Sequence, residues 1–336
     1  MASTYDGTGI RYLESRDFTF HTGATLPSVR LAYREFNPTS QKTALISTCF
    51  LGRINSTMNF TNGALRNHRV IVVALFGNGE SASPSNTPDF PHLDYRDCVR
   101  AQYKLINHLQ IASLDVILGF SMAGQNAYYW LALYPQIVHS AVIICSAAKT
   151  SLHNYQFLEG PKNALLNSVD YNDSSFQSEG KQPIRGLHAF SQAYSAWLAS
   201  AEWFEDRMFE KFGHKTLGDW AAAGEKVYED WHPDDLLALL GMWQRSDLSA
   251  VVGSGSLEDA LRTLTSRVLL MPCRTDQYFK WEASGKEVMC LQKGEIAVIP
   301  SIWGHMAGGG SNQTDDEWMD DRITKFLNCS TSGSTY

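Results

Sequence analysis

The sequence lacks the features that announce several whole classes of protein. No apolar run reaches the roughly 18 residues that a membrane-crossing helix needs, so no membrane partner is expected. The opening "MASTYDGTGIRYLESRDF" has neither a basic n-region nor an apolar core, and no secretory leader is expected from it. The closing "STY" does not match a peroxisomal SKL-type signal. Charged residues make up only 19% of the 336 positions, against 44% hydrophobic. That balance argues against disorder and for a substantial core. The formal charge of −7 is spread without a basic cluster, which excludes nucleic acid as a partner.

The six cysteines (Cys49, Cys98, Cys145, Cys273, Cys290 and Cys329) contain no CxxC pair and lie mostly in apolar runs. They read as reduced, buried thiols and point to the cytoplasm. The ten histidines form no HExxH and no Cys/His grouping, so no metal is expected. The Gly-rich "GNGESAS" and "GHMAGGGS" match neither a P-loop nor a dinucleotide fingerprint and are read as turns.

What is present is an ordered alternation. "RDFTFHTGATLPSVRLAYREF" predicts two strands around a Gly/Pro turn. "ALIST" (44–48), "RVIVVALF" (69–76), "DVILGF" (115–120) and "VHSAVIICSAA" (138–148) are apolar runs without alternation, as in parallel strands covered on both faces. "DYRDCVRAQYKLINHLQI" (94–111) carries Val99, Tyr103, Ile106 and Leu109 at helical spacing. From about 152 to 248 helical spacings, charges and tryptophans dominate and no strand is evident. "HPDDLLALL" within it has the marks of a helix start, with Pro233 in the first turn and Asp234 and Asp235 suiting the dipole. Strand-like runs return at "RVLLMPC" (267–273) and "EIAVIP" (295–300), and "DDEWMDDRITKFL" (315–327) predicts a closing helix. The expectation is a mostly parallel wound sheet. Residues 1–151 and 249–336 would form its core, and residues 152–248 a helical cap inserted before the strand that leads to Asp276.

The chemistry centres on "LGFSMAGQNAYYW". A strand-like run precedes Ser121 and a helix-like run follows it. Gly119 and Ala123 supply the small neighbours that a sharp strand-to-helix turn demands, and Gly124 adds room. This is the setting of a nucleophile elbow, although G-x-S-x-G here reads with alanine in fifth place. A serine hydroxyl needs a base, and the base needs an orienting acid. Asp276 and His305 each follow a strand-like run, in the chain order Ser, Asp, His, on loops at the carboxyl ends of strands. Glu282 and Glu287 look like helix-surface residues. Charge on a tetrahedral oxyanion calls for two backbone N–H donors. Met122 supplies one, and Phe50 in the "CFLGR" loop is the choice for the other, with Leu51 its neighbour.

At these residues the sequence resembles the homoserine O-acetyltransferase-like branch of the α/β-hydrolase superfamily. "GFSMAGQNAYYWLALYPQIVHSAVIICSAAKTS" is similar to that branch's serine region, while "ALFGNGESASPSN" and "IPSIWGHMAGG" resemble fungal secondary-metabolite hydrolases within it. The resemblance implies an α/β-hydrolase fold, with Ser121 as nucleophile, Asp276 as acid, His305 as base, and Met122 and Phe50 as oxyanion donors. It departs at Ala123. The acetyltransferases' cap arginine finds no matching motif around Arg53, Arg185 or Arg207. Leu51, Arg53, Phe279 and Trp303 are candidates for the substrate pocket. The expected activity is hydrolysis of a small-molecule ester or thioester through an acyl-enzyme. The alternatives are O-acyl transfer, triad-based condensation, cyclisation or C–C cleavage on a polyketide-type substrate, and a binding protein on a retired scaffold. No cofactor is expected, acyl-CoA would enter as a co-substrate, and a homodimer is admitted.

Overall fold

A computed structural model of the chain describes residues 6–172 and 180–329. Eight strands form one sheet: β1 (Arg11–Thr19), β2 (Thr25–Phe36), β3 (Lys42–Ser47), β4 (His68–Val73), β5 (Val116–Phe120), β6 (Ser140–Ile144), β7 (Arg267–Met271) and β8 (Gly294–Ile296). Their spatial order is β1-β2-β4-β3-β5-β6-β7-β8. β1 and β2 are antiparallel, β2 joins β4 antiparallel, and every pairing from β4 through β8 is parallel. β4 and β5 lie on opposite sides of β3, and that change of direction is the mark of a wound sheet. Every residue of β6 and the first four of β5 are buried. That explains why those runs are apolar without alternation.

The two ends of the sheet differ from expectation. Gly23 at φ 89° makes the hairpin turn, and Pro27 lies inside β2 rather than in the turn. The ladder skips the Asp17–Pro27 position, between Arg16↔Ser28 and Phe18↔Leu26, because proline has no N–H to give. At the other edge "EIAVIP" supplies only two ladder residues, Glu295 and Ile296, and Gly294 before it the third. Beyond Ile296 the pairing to β7's extension is reduced to single bonds and one bridge, Cys273↔Ile299, and Pro300 again lacks a donor.

Helix α1 (Tyr95–His108) opens on a capping box between Asp94 and Asp97. Helix α2 (Met122–Leu133) is buried from Met122 through Leu131, so it lies beneath other layers rather than at the surface. Between β6 and β7 the described chain is helical: α3 (Leu152–Leu166), α4 (Ile184–Ser195), α5 (Ala201–Glu205), a 3₁₀ turn (Met208–Phe212), α6 (Leu217–Glu229), α7 (Pro233–Gln244), α8 (Leu248–Val252) and α9 (Leu257–Arg262). α8 packs back onto α2. Helix α7 starts as its sequence suggests, with Pro233 in the first turn. Asp235, however, is buried and accepts from both the N–H and the hydroxyl of Ser85, tying the cap to the Gly/Ser-rich loop that follows β4. Burial raises its carboxyl above the usual range. Helices α10 (Trp281–Val288) and α11 (Gln313–Asn328) flank β8. No helix among the described residues is long and apolar enough to cross a membrane.

Candidate active site

The carboxyl ends of β5, β7 and β8 converge. Ser121 follows β5 directly, at φ 58° and ψ −124°, a conformation that a side chain adopts only when its surroundings impose it. The surroundings are visible. A Cβ on Gly119 would sit 2.2 Å from the carbonyl oxygen of Ala123, and one on Gly124 would sit 2.5 Å from the Cβ of Ser146. Both glycines are therefore needed for close approach, whereas position 123 holds a buried alanine without conflict. The small-residue demand falls on Gly124 rather than on position 123. The turn is pinned from below by Ser121 N–H donating to Ile144 C=O at 2.9 Å.

Asp276 lies five residues past the end of β7. Its Oδ1 accepts the N–H groups of Tyr278 and Phe279, both at 3.0 Å, which leaves Oδ2 to face His305 Nδ1 at 2.7 Å. The other ring nitrogen, Nε2, is 2.9 Å from Ser121 Oγ. The three side chains chosen from sequence are thus joined in one hydrogen-bonded line, and exposures of 3% (Ser121), 2% (Asp276) and 5% (His305) keep it out of bulk water. His305 stands on a 3₁₀ turn (Gly304–Gly308). A Cβ on Gly304 would meet the Cα of Ala199 at 2.7 Å, Met306 N–H donates to Leu198 C=O, and Ser200 Oγ donates to Ile302 C=O. The histidine's loop is therefore held by the cap.

Among the described residues, the backbone N–H groups of Met122 and Phe50 have no hydrogen-bond acceptor. At Met122 this follows from its place in the first turn of α2, where backbone donors have no intrahelical partner. The ring of Phe50 stacks on Tyr194 and Phe190 of the cap. A small cavity of about 150 Å³ lies against Phe50, Leu51, Phe120 and Gly308. Leu51 lines this cavity. Arg53 is placed otherwise: its guanidinium lies 3.6 Å over the ring of Trp231 and donates to Asn78 C=O, bridging core loop and cap. Phe279 is buried with its ring 5.6 Å from that of His305 and stacked on Trp243. Trp303 packs against Trp203 and Phe212 and does not line the cavity beside Phe50.

Several groups at the site carry no mark in the sequence. Tyr278 packs 4.4 Å from the His305 ring and Phe120 4.7 Å from it. Phe157 and Trp243 close around Tyr278 from the cap. Only their neighbours in space reveal them. Glu287, expected at the surface, is buried; it accepts from the Tyr128 hydroxyl at 2.7 Å and from Ala148 N–H at 2.9 Å, and burial pushes its carboxyl up to about 7. Cys145, at φ 44° past β6, places its Sγ within 4.8 Å of ligand atoms of Asp276 and His305. Those three are the group among the described residues with a metal-ligand arrangement. The facing atoms of Asp276 and His305 are already bonded to each other, and burial raises the thiol well above its ordinary pKa and keeps it protonated.

Comparison with known proteins bears on the fold and the family. The family described as alpha/beta hydrolase fold matches residues 45–247. An ethyl acetate hydrolase of Pseudomonas veronii is 28% identical over 266 residues, covering 77% of this chain and 76% of that protein. A homoserine O-acetyltransferase of Methanococcus vannielii is 24% identical over 368 residues, 94% of this chain and 73% of that one. The crystal structure of an acetylester hydrolase from Corynebacterium glutamicum superposes with a TM-score of 0.86 at 23% identity, covering 95% of each chain, and so shares the fold.

Proposed function

The chain belongs to the alpha/beta hydrolase fold family, and from that premise we propose that it is a serine-dependent hydrolase of esters or thioesters working through an acyl-enzyme. One observation carries the reading: the unbroken line Ser121 Oγ–His305 Nε2 and His305 Nδ1–Asp276 Oδ2, with the Met122 N–H directly after the serine in the chain. Relatives named for ester hydrolysis and for acyl transfer place the chain among ester hydrolases and acyltransferases.

The steps follow from the bonds. Asp276 holds the Nδ1 proton toward itself, so Nε2 presents its lone pair to the serine. His305 takes the hydroxyl proton as Oγ attacks the acyl carbonyl carbon. The carbonyl oxygen becomes an oxyanion and is met by the N–H groups of Met122 and Phe50. Asp276 offsets the imidazolium charge. His305 then returns the proton to the departing alkoxide or thiolate, leaving an ester on Ser121. Water, deprotonated by His305, opens that ester and restores the hydroxyl. The apolar rings of Phe120, Tyr278 and Phe279 keep the histidine in a low-dielectric setting, where these interactions are stronger than in water. The cavity of about 150 Å³ suits a short acyl group. No cofactor enters these steps.

Acyl transfer is the second reading, favoured by the acetyltransferase relatives; an acceptor alcohol would replace water and acyl-CoA would serve as donor. Hydrolysis ranks first because no arginine is found in a motif that would grip an amino-acid acceptor. Assignment to secondary metabolism rests on sequence resemblance alone.

Intact-mass spectrometry after mixing with p-nitrophenyl acetate tests the reading. The expected result is an acetyl adduct and a burst of nitrophenol with the natural enzyme, and neither with Ser121→Ala. An adduct that persists in the alanine variant overturns it. Partition of the acetyl group between water and added alcohols separates hydrolysis from transfer.

A further inference from the structure

A second hollow, much larger than the cavity beside Phe50, lies apart from it. A groove of about 1060 Å³ runs between the start of α3, helix α9 and helix α10, and shares no lining residue with the cavity beside Phe50. Its inner wall includes Tyr278 and Phe279, whose opposite task is to pack against His305. Leu261 and Ala283 add apolar surface, and Leu152 and Met289 stand at its lip 90% and 83% exposed. Apolar side chains left that bare around a concavity mark a surface that something covers.

Two further observations give the occupant's chemistry. Asn154 lines the groove and is 1% exposed, yet neither its amide nitrogen nor its amide oxygen has a partner. A carboxamide buried without partners is unfavourable, and a ligand group that meets it offsets that cost. It asks for one group that both accepts and donates. At the rim, Lys280 and Lys286 are exposed and their ammonium groups pair with no carboxylate among the described residues, whereas Lys149 is matched by Asp247 at 2.7 Å. Glu258 is the one exposed carboxylate of the lining, and Glu287 is turned inward to Tyr128 and Ala148, so the rim is net positive.

We propose that this groove binds an amphipathic carboxylate with an amide along an apolar chain, the pattern of an N-acyl amino acid. The chain lies on Leu261, Ala283 and Phe279, the amide pairs with Asn154, and the carboxylate meets Lys280 and Lys286. The site is independent of the reaction assigned to Ser121.

Calorimetric titration with N-decanoylglycine, its uncharged glycinamide analogue and plain dodecanoate tests each part. Lys280→Gln with Lys286→Gln, both at the surface, should weaken N-decanoylglycine about three- to tenfold and leave the glycinamide unchanged. Asn154→Leu should weaken both amide probes about fivefold or more and spare dodecanoate. Ala283→Trp, which fills the groove, should weaken all three at least tenfold, with circular dichroism checking the fold. Binding to enzyme phosphonylated at Ser121 should be unaltered. Loss of binding on phosphonylation would assign the probe to the neighbourhood of Ser121 and overturn the proposal. So would unchanged affinities in the lysine variant and in Asn154→Leu.

Discussion

The strand ends and the cap build their surfaces by opposite means. At the strand ends each polar group has fixed partners: Oδ1 of Asp276 belongs to two backbone N–H groups, Oδ2 to His305, and the remaining imidazole nitrogen to Ser121. Where the cap meets the loop after β7 the work is done by rings in loose register, with Phe157, Tyr194 and Trp243 of the cap and Tyr278 of the loop at centroid separations of 5.0–6.4 Å. The first arrangement fixes atoms to within a hydrogen bond, as proton transfer requires. The second excludes water and shapes space, and it can be repacked without breaking a bond. A fold divided this way can keep one chemistry while its cap changes what is admitted.

That contrast is most open to attack at the strand ends. Asp276→Asn keeps the size of the side chain but removes the charge and the tautomer control; kcat for an activated ester should fall by about 10⁴-fold with KM little changed. A drop of less than tenfold would detach Asp276 from the chemistry. Gly119→Ala drives a methyl into the Ala123 carbonyl, 2.2 Å away, and should cost about 3–5 kcal/mol of stability by chemical denaturation. Ala123→Gly should cost about 1 kcal/mol, the helix-propensity difference alone. Equal losses at the two positions would contradict the packing described for the elbow.

The burial of Glu287 gives a pH test. Its folded pKa of about 7 lies above that of the unfolded carboxyl, so between those values the native state holds a proton that the unfolded state has released. Stability from this group is therefore fully present below about pH 4.5 and is lost as pH rises through 7, by about 2–3 kcal/mol in all. Glu287→Gln should flatten that slope between pH 5 and 8 when melting temperatures are compared, and an unaltered slope would move the titration elsewhere. The smallest effect is expected at the seam between the two regions. Arg53→Ala removes a cation–π contact with Trp231 and should cost about 1 kcal/mol, read chiefly as a raised KM because the cap is loosened and the triad is not touched. A fall in kcat alone would place Arg53 in the chemistry instead.

Much of the strand-end region could be read in the sequence because its rules are local. A buried run, a serine between glycines and a helix start form an elbow whatever surrounds them, and acids and bases that follow strands are delivered to one rim by the direction of a parallel sheet. The pocket residues were less legible. Trp303 and Phe279 both flank triad residues in the chain, yet one ring packs on Trp203 and the other beside His305. Arg53 follows the loop of Phe50 but spans to the cap instead. Glu287 carries helix-surface spacing, and only the approach of Tyr128 and Ala148 from other elements buries it.

By itself the sequence determined the order of strands, the elbow and the three residues able to form a proton-relay line, because hydrophobic period and steric demand act between near neighbours. Only the tertiary structure decided which aromatic rings enclose His305, that the cap grips its loop through Leu198–Ser200, and that Asn154 lies buried without a partner. Those outcomes depend on contacts between residues tens to hundreds of positions apart, and no periodicity along the chain encodes such contacts.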